Sequence, residues 1–246
     1  MKTDELLTHI VEAIQQSNAY KQLPAEYKQP LDEIVNKDYL ASIIAEKKKT
    51  KRGQKKKTLY QFKIALKDIR PPIWRRVVVP SHITFAQFHK VIQAAMGWMD
   101  YHLYEFEVDN ILIDVPDEEY ELPYGRWQER YHARKVKLEQ LLTEEGQTFT
   151  YTYDFGDHWV HAITLEKIEE TTEPFPHPIC LKGKRACPPE DIGGVHGYMR
   201  MIETLERNDP NDEERNELIE WYGGEFDPEY FDLEETNEIL KSITFR

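Results

Sequence analysis

The chain has few cysteines and no long apolar run, and these absences exclude several classes of protein. Its 246 residues include two cysteines, which are too few for a disulfide framework. No run approaches the roughly 20 apolar residues that cross a bilayer, and the N-terminus leads into an amphipathic segment, not the apolar core of a signal peptide. No glycine-rich phosphate-binding pattern occurs, which argues against a nucleotide cofactor. We therefore expect a cytoplasmic protein that does not enter the membrane.

Acidic residues outnumber basic ones, and the excess is unevenly distributed. The net charge is −13, of which residues 1–46 carry −4, residues 47–57 carry +8 and residues 58–246 carry −17. A body of this charge repels a phosphate backbone, so only the basic segment could attract a nucleic acid. We predict a helical N-terminal extension (1–46), a basic linker (47–57) and one domain (58–246). The alternative for the linker is a nucleic-acid-binding arm formed by Lys47, Lys48, Lys49, Lys51, Arg52, Lys55, Lys56 and Lys57.

Local patterns predict how the domain begins. Apolar and polar residues alternate in Tyr60–Leu66, and a second strand-type run covers Ile73–Val79. Thr84 and Gln87 have the spacing of a capping box, and Gly97 is a natural helix stop. Two strands followed by a capped helix are a typical opening of an α+β domain.

A further hairpin and several helices complete the predicted fold class. Leu103–Val108 and Ile111–Ile113 flank a short Asp-Asn turn, which is the spacing of a tight β-hairpin. Residues 116–135 show no clean period and predict an irregular excursion. Helical spacing of apolar residues recurs up to Ala45 and again between residues 198 and 240. The sequence thus predicts an α+β fold: an antiparallel strand-rich core with a central β-hairpin, C-terminal helices and a small helical N-terminal extension.

The aromatic-rich stretch 151–165 predicts the central hairpin, around Gly156-Asp157. The length of its loop decides which residues share a face, because a one-residue shift flips every side chain. A three-residue loop pairs Phe155 with Trp159 and places the large apolar residues and His161 on one face. A loop of two or four residues pairs Asp154 with Trp159 and mixes polar and apolar residues. We favour the first register, which leaves Asp154 on the face opposite His161, because a half-buried sheet needs one apolar face.

Carboxylates and imidazoles are concentrated at the turn of this hairpin, beside much aromatic surface. Downstream, Gly193 and Gly194 would let a ligand approach the backbone closely, or would simply orient the next helix. Two arginines of the second strand point to opposite faces, so at most one of them can reach a site on a given side. We predict a candidate site formed by Asp154, Asp157, His158, Trp159, His161, Glu190, Asp191, Arg75 and Arg76.

No cofactor is predicted, although zinc or another divalent metal would suit some of these residue types. The candidate ligands are His158, His161, Cys180 and Cys187. Their spacing does not match a zinc ribbon, and His-x-x-His on a strand places the two rings on different faces. The structural alternative is that the turn aspartates bond to backbone groups and that His161 is a buried core histidine.

Five segments together resemble the plasmid pRiA4b ORF-3-like proteins. In chain order these are Arg70–Arg76, Phe88–Trp98, Tyr153–His161, Cys180–Gly194 and Phe226–Asn237. The resemblance implies an α+β protein of a mainly bacterial family that is often encoded near mobile elements, and it implies no catalytic residues. Some members of that family are labelled as insertion-element resolvases.

The residues do not support a resolvase, because a serine recombinase needs a nucleophilic serine among arginines. From Leu59 onward the chain has only Ser81 and Ser242, and neither lies in such a cluster. Two classes of function remain. The first is a non-catalytic binding or accessory module, in which an aromatic and acidic groove around the hairpin and the 180–194 loop binds a protein or a small molecule. The alternative is a metal-dependent hydrolase that uses the Asp/His turn with Glu190 or Asp191.

Overall fold

The computed structural model describes residues 3–36, 56–115, 129–207 and 209–245. The chain divides into two compact units, Met1–Lys55 and Lys56–Arg246. In the described part of the first unit lie helices α1 (Thr3–Gln16), α2 (Asn18–Lys21) and α3 (Ala25–Ile34). The predicted helix up to Ala45, most of the predicted basic arm (residues 47–55) and residues 116–128 of the predicted excursion lie outside the described residues.

The second unit is a mixed α+β domain around one eight-stranded sheet, which confirms the predicted fold class. Its strands are β1 (Lys57–Leu66), β2 (Trp74–Pro80), β3 (Tyr104–Val108), β4 (Ile111–Asp114), β5 (Glu129–His132), β6 (Thr148–Tyr153), β7 (Trp159–Thr171) and β8 (Ile179–Lys184). Its helices are α4 (Phe85–Met96), α5 (Leu138–Leu141), α6 (Gly194–Glu206), α7 (Glu213–Tyr222) and α8 (Leu233–Lys241). The strand order is β5-β4-β3-β6-β7-β1-β2-β8, and every neighbouring pair is antiparallel except β4 with β5.

One face of the sheet forms the core, and helix α4 packs on it. Phe62 and Ile64 of β1 are fully buried, and the ring of Phe62 lies 4.7 Å from that of Phe88 on α4. The opposite face is more polar, as is common for antiparallel sheets. There Arg76 donates two hydrogen bonds to Glu166, at 2.5 and 2.8 Å, and Glu166 also accepts one from Gln61 at 2.8 Å.

Helix α4 begins and ends where the sequence predicts. The Thr84 hydroxyl accepts from the Gln87 N–H at 3.2 Å, and the Gln87 side chain accepts from the Thr84 N–H at 2.9 Å. This reciprocal pair satisfies two backbone donors that the helix itself cannot. Gly97 follows the last turn in a left-handed conformation, with φ +92°, which glycine adopts at no steric cost. Its position fixes where the chain leaves the helix for the segment that follows.

The register of the central hairpin differs from the prediction. Tyr153, not Phe155, pairs with Trp159, so the loop has five residues, 154–158. Asp154 and His158 both adopt positive φ, and the Asp154 carboxylate accepts a hydrogen bond from the Gly156 N–H at 2.9 Å. This local hydrogen bond favours the wider loop. The alternation of apolar and polar residues in the sequence does not reveal it. Because the register shifts by two residues, the predicted faces survive, with the aromatic residues and His161 on the buried face.

The C-terminal helix α8 closes the edge of the sheet at β8. The side-chain amide of Asn237 donates to the Cys180 carbonyl at 3.0 Å, and its oxygen accepts from the Cys180 N–H at 2.8 Å. One side chain therefore replaces part of a neighbouring strand and satisfies edge groups that would otherwise be unpaired.

Among the residues described, no helix is long and apolar enough to cross a membrane.

Candidate functional site

Three segments meet where the central hairpin turns: residues 98–103, 154–158 and 188–194. The indole N–H of Trp98 donates to the Pro188 carbonyl at 2.9 Å, and the Gly193 N–H donates to an Asp157 carboxylate oxygen at 3.1 Å. Gly194 has φ +68°, and a Cβ there would lie 2.4 Å from the Asp157 carbonyl oxygen. Only glycine allows this approach, so the predicted turn and the predicted 180–194 loop are in backbone contact.

His102, Asp154 and Asp191 form a cluster at this junction. The Nε2 atom of His102 lies 3.2 Å from Asp191 Oδ1 and 3.7 Å from Asp154 Oδ2. Within the described ranges, these residues are the only group of three or more histidines, cysteines or carboxylates whose ligand atoms all lie within 4.8 Å of one another. The Nε2 atom is buried and, although Asp191 Oδ1 lies 3.2 Å away, it forms no hydrogen bond, while the Asp191 side chain is 68% exposed. The cluster is therefore open to solvent on the side of Asp191.

The hairpin loop fixes the position of Asp154. The backbone N–H of Asp154 donates to the Leu103 carbonyl at 2.9 Å, which joins the loop to the segment carrying His102. Its Oδ1 atom accepts the bond from Gly156, and its side chain is only 11% exposed. Oδ2 is thus left directed toward His102. Asp154 was predicted to lie on the face of the sheet opposite His161. In the structure it belongs to the loop and not to a strand, so it lies on neither face.

Tyr153 and Glu190 hold the segment that carries His102. The Tyr153 hydroxyl donates to Glu190 Oε1 at 2.6 Å and accepts from the N–H groups of Tyr101 and His102 at 3.0 and 3.4 Å. Glu190 Oε1 also accepts from the Met99 N–H at 3.3 Å. Burial, and then the bond to Glu190, raise the pKa of Tyr153 well above its ordinary value, so the phenol stays neutral and keeps donating. A strand residue, a loop carboxylate and three backbone amides form one unit.

A closed ring of hydrogen bonds supports the same segment from inside the core. Asp100 donates its N–H to the Gln93 side chain at 2.9 Å, and Gln93 donates to the Tyr151 hydroxyl at 3.0 Å. The Asp100 carboxylate can only accept, so the His89 Nε2–H donates to it at 2.5 Å, and Nδ1 of the neutral ring accepts from the Tyr151 hydroxyl at 2.8 Å. The ring fixes the tautomer of His89. Burial lowers the pKa of His89, which favours the neutral form that this ring requires.

The other predicted residues of the hairpin do not line the opening. His158 is exposed on the loop, whereas Trp159 and His161 are fully buried. The Nδ1–H of His161 faces the carbonyls of Trp159 and Tyr151, at 3.1 and 3.3 Å. Burial lowers the pKa of His161 to about 4, so it is a neutral core histidine at physiological pH.

The predicted arginines and cysteines lie elsewhere. Arg75 is buried and donates to four backbone carbonyls, those of Ala95, Trp74, Lys184 and Arg185, while its guanidinium lies 4.2 Å from the centre of the Phe231 ring. Arg76 pairs with Glu166 on the opposite face of the sheet. Both cysteines are free thiols, and burial raises the pKa of each. The structure does not bring Cys180, Cys187, His158 and His161 together as ligands.

Sequence reasoning missed His102. It lies in an irregular stretch between the end of α4 and the start of β3, with no neighbouring histidine, cysteine or periodic pattern to mark it. The signal that does exist is indirect: two positive-φ residues, Gly97 and Asp100, direct the chain back toward the hairpin loop. Only the tertiary structure shows where that chain reversal leads.

Comparison with known proteins identifies the family to which this chain belongs. The family model described as plasmid pRiA4b ORF-3-like protein matches residues 58–235. The chain belongs to this family. The uncharacterized protein y4hQ of Sinorhizobium fredii is 37% identical over 194 residues, covering 76% of this chain and 92% of that protein. A crystal structure of a protein of unknown function, MM3350 from Methanosarcina mazei Go1, is 41% identical with a TM-score of 0.63, covering 73% of this chain and 97% of the other.

Three of the segments through which the chain resembles the pRiA4b ORF-3-like family form the contacts of this junction. Phe88–Trp98 supplies the ring around Asp100 and the indole that bonds to Pro188. Tyr153–His161 supplies the hairpin loop, and Cys180–Gly194 supplies Glu190, Asp191 and the glycine against Asp157. Three of the five segments thus meet at one end of the domain, although they are far apart in the chain.

Proposed function

We propose that this pRiA4b ORF-3-like domain is a non-catalytic binding module that holds a divalent metal ion with His102, Asp154 and Asp191. The observation that carries the proposal is the buried Nε2 atom of His102, which lies within ion-pair distance of two carboxylate oxygens and forms a hydrogen bond with neither. A buried polar atom without a partner costs free energy, and a bound cation would remove that cost.

The two distances from His102 are close to those expected around a tetrahedral ion. Bonds of about 2.0–2.2 Å to nitrogen and oxygen place neighbouring ligand atoms of a tetrahedral zinc site about 3.4 Å apart. The two distances from His102 Nε2, 3.2 and 3.7 Å, lie on either side of that value. One imidazole and two carboxylates suit zinc, manganese or iron better than a soft, thiolate-preferring ion. Three protein ligands leave at least one position open.

The surroundings suit a bound partner at the open position. Met99, Tyr101 and Leu103 are 67%, 70% and 39% exposed, and they belong to the same segment as His102. An apolar rim beside polar ligands is a common composition for a ligand site, because the rim supplies contact area and the polar groups supply orientation. These features support the aromatic and acidic groove expected from the sequence, with a protein or a small molecule as its partner.

Titration calorimetry of chelator-treated protein with Zn²⁺ and Mn²⁺ tests the proposal. We expect one equivalent of metal to bind, and His102→Ala and Asp191→Asn each to weaken binding at least tenfold. His158→Ala is the matched control, since this exposed histidine lies on the same loop outside the cluster and should leave the affinity unchanged. The assignment is refuted if neither metal binds at one equivalent. It is also refuted if His102→Ala and His158→Ala weaken the metal affinity equally.

A metal-dependent hydrolase is the second candidate, and Glu190 is the observation that favours it. This carboxylate lies next in sequence to the proposed ligand Asp191 and bonds to the Tyr153 hydroxyl. A carboxylate beside a metal-bound water is the usual general base of such enzymes. Glu190→Gln should then keep metal binding and abolish the hydrolysis of activated esters and phosphodiesters. If the metal-loaded wild-type protein hydrolyses none of them, the binding module stands and the hydrolase does not.

A further inference from the structure

A small cavity lies beside the segment that carries His102. Its volume is about 220 Å³, and helix α4, the 100–104 segment and the chain after β5 all contribute to it. The residues on which the argument depends are His89, Lys90, Asp100, Tyr104 and Arg134. This volume suits a phosphate group or another small oxyanion and excludes a nucleotide-sized ligand.

The acceptor atoms of Asp100 and His89 at this cavity each already accept a hydrogen bond. The two oxygens of Asp100 accept from the His89 Nε2–H and from the Lys90 ammonium. His89 uses its Nδ1 atom to accept from Tyr151, so neither of its ring nitrogens offers a lone pair to the cavity. A cationic or donor-rich ligand would therefore find few groups to accept its hydrogen bonds.

Hydrogen-bond donors, in contrast, remain unused. Lys90 has three N–H groups, of which one donates to Asp100, and its side chain is 58% exposed. Neither the Arg134 guanidinium nor the Tyr104 hydroxyl has a hydrogen-bond or ion-pair partner among the residues that the structure describes. The Tyr104 ring stacks on His89, with centroids 3.6 Å apart, which holds the phenol in place. Two cations and a hydroxyl thus border one cavity.

We propose that this cavity binds a small oxyanion, specifically a phosphate group, through Arg134, Lys90 and Tyr104. Phosphate offers several acceptor oxygens, which complement the unused donors of Arg134, Tyr104 and Lys90. Because residues 58–246 carry a net charge of −17, long-range electrostatics oppose anion binding, so the site depends on these local donors. The proposal goes beyond metal binding, since none of the three donors is a proposed metal ligand, although the proposed ligand His102 also lines the cavity.

Titration calorimetry of the full chain with inorganic phosphate tests this inference. Chelator is kept in the buffer, so that phosphate binding and metal binding are measured separately and can fail separately. We expect saturable binding, weakened at least fivefold by Arg134→Gln. Lys135→Gln is the matched control, because it removes the same charge one residue away from a side chain that does not line the cavity. Equal weakening in both variants, or no saturable binding of phosphate, would overturn the proposal.

Two further titrations use glycerol phosphate and, at matched ionic strength, sodium chloride. Binding of glycerol phosphate with the same dependence on Arg134 would identify a phosphomonoester as the ligand, whereas binding of inorganic phosphate alone would identify the free ion. Tyr104→Phe should weaken phosphate binding about threefold without lowering the melting temperature, since only the hydroxyl is removed. Competition by chloride as strong as that by phosphate would show nonspecific screening and would contradict a built site.

Discussion

Two buried tryptophans of the junction differ in one respect, and this difference gives a quantitative prediction. Trp98 donates its indole N–H to the Pro188 carbonyl, whereas the indole N–H of Trp159 is buried without a partner. Both side chains lie in the same aromatic cluster, with ring centroids 6.0 Å apart, and Trp159 is the more buried of the two. Replacing each by phenylalanine therefore separates packing from hydrogen bonding within a single environment.

The expected magnitudes follow from these contacts. Loss of ring volume costs about 1–2 kcal/mol at either position, given the range for large-to-small core substitutions. Trp98→Phe also leaves the buried Pro188 carbonyl unpaired, which adds about 1–3 kcal/mol, while Trp159→Phe removes an unsatisfied donor and regains part of its loss. We expect Trp98→Phe to lower the free energy of unfolding by at least about 1 kcal/mol more than Trp159→Phe does. This difference corresponds to about 2–4 °C in melting temperature.

Urea denaturation followed by circular dichroism measures both free energies of unfolding. Trp98→Phe should also weaken metal binding, because the lost hydrogen bond joins the His102 segment to the loop that carries Asp191. A Trp159→Phe variant that is as unstable as Trp98→Phe would refute the reasoning, since the hydrogen bond would then contribute nothing. The more drastic Trp159→Ala should cost roughly 3–5 kcal/mol, the usual range for a buried tryptophan.

Three other predictions concern the fold. Thr84→Ala should lower the free energy of unfolding by about 1 kcal/mol through loss of the capping box, measured by urea denaturation, with no change if the cap is unimportant. Asn237→Ala should cost about 1–3 kcal/mol by unpairing the edge of β8, and hydrogen exchange should be faster at Cys180 than in the wild type. His161 has a pKa lowered to about 4 from 6.5, so its contribution to stability is complete above about pH 6.5 and is lost as the pH falls toward 4. His161→Leu should therefore reduce the loss of stability across that window, by up to about 3 kcal/mol; an identical pH profile would show that His161 is not buried and neutral.

Features that depend on neighbouring residues in the chain were predictable from sequence. The capping box at Thr84 and the tight turn at Asp109-Asn110, where both residues adopt positive φ, were recognised from a few residues each. The alternation in β1 and β2 correctly placed Arg75 and Arg76 on opposite faces. Side-chain periodicity carries this information because a strand shows one residue in two to the core.

The features that failed depend on contacts across the chain. The length of the hairpin loop was wrong by two residues, since the bond from the Gly156 N–H to Asp154 favours a wider loop that alternation cannot reveal. Of the segments in the predicted site, the loop around Asp157 and the Glu190-Asp191 segment lie together, and His102, which was not in the prediction, lies beside Asp191. A single histidine in an irregular segment has no local pattern, so its proximity to Asp154 and Asp191 becomes visible only when three distant segments are assembled.

Structural need accounts for most carboxylates of the junction and leaves Asp191 unexplained. Glu190, Asp157 and the Oδ1 atom of Asp154 each accept a hydrogen bond from a backbone N–H, so their carboxylates would be required even without a ligand. Asp191 has no such duty: its side chain is 68% exposed, its φ is +60°, and its ion-pair contact is with His102. A largely exposed residue that adopts a conformation favouring glycine contributes little to the fold. Asp191→Gly should therefore preserve or slightly raise the free energy of unfolding while it abolishes metal binding, and that separation is what distinguishes a ligand from a structural carboxylate.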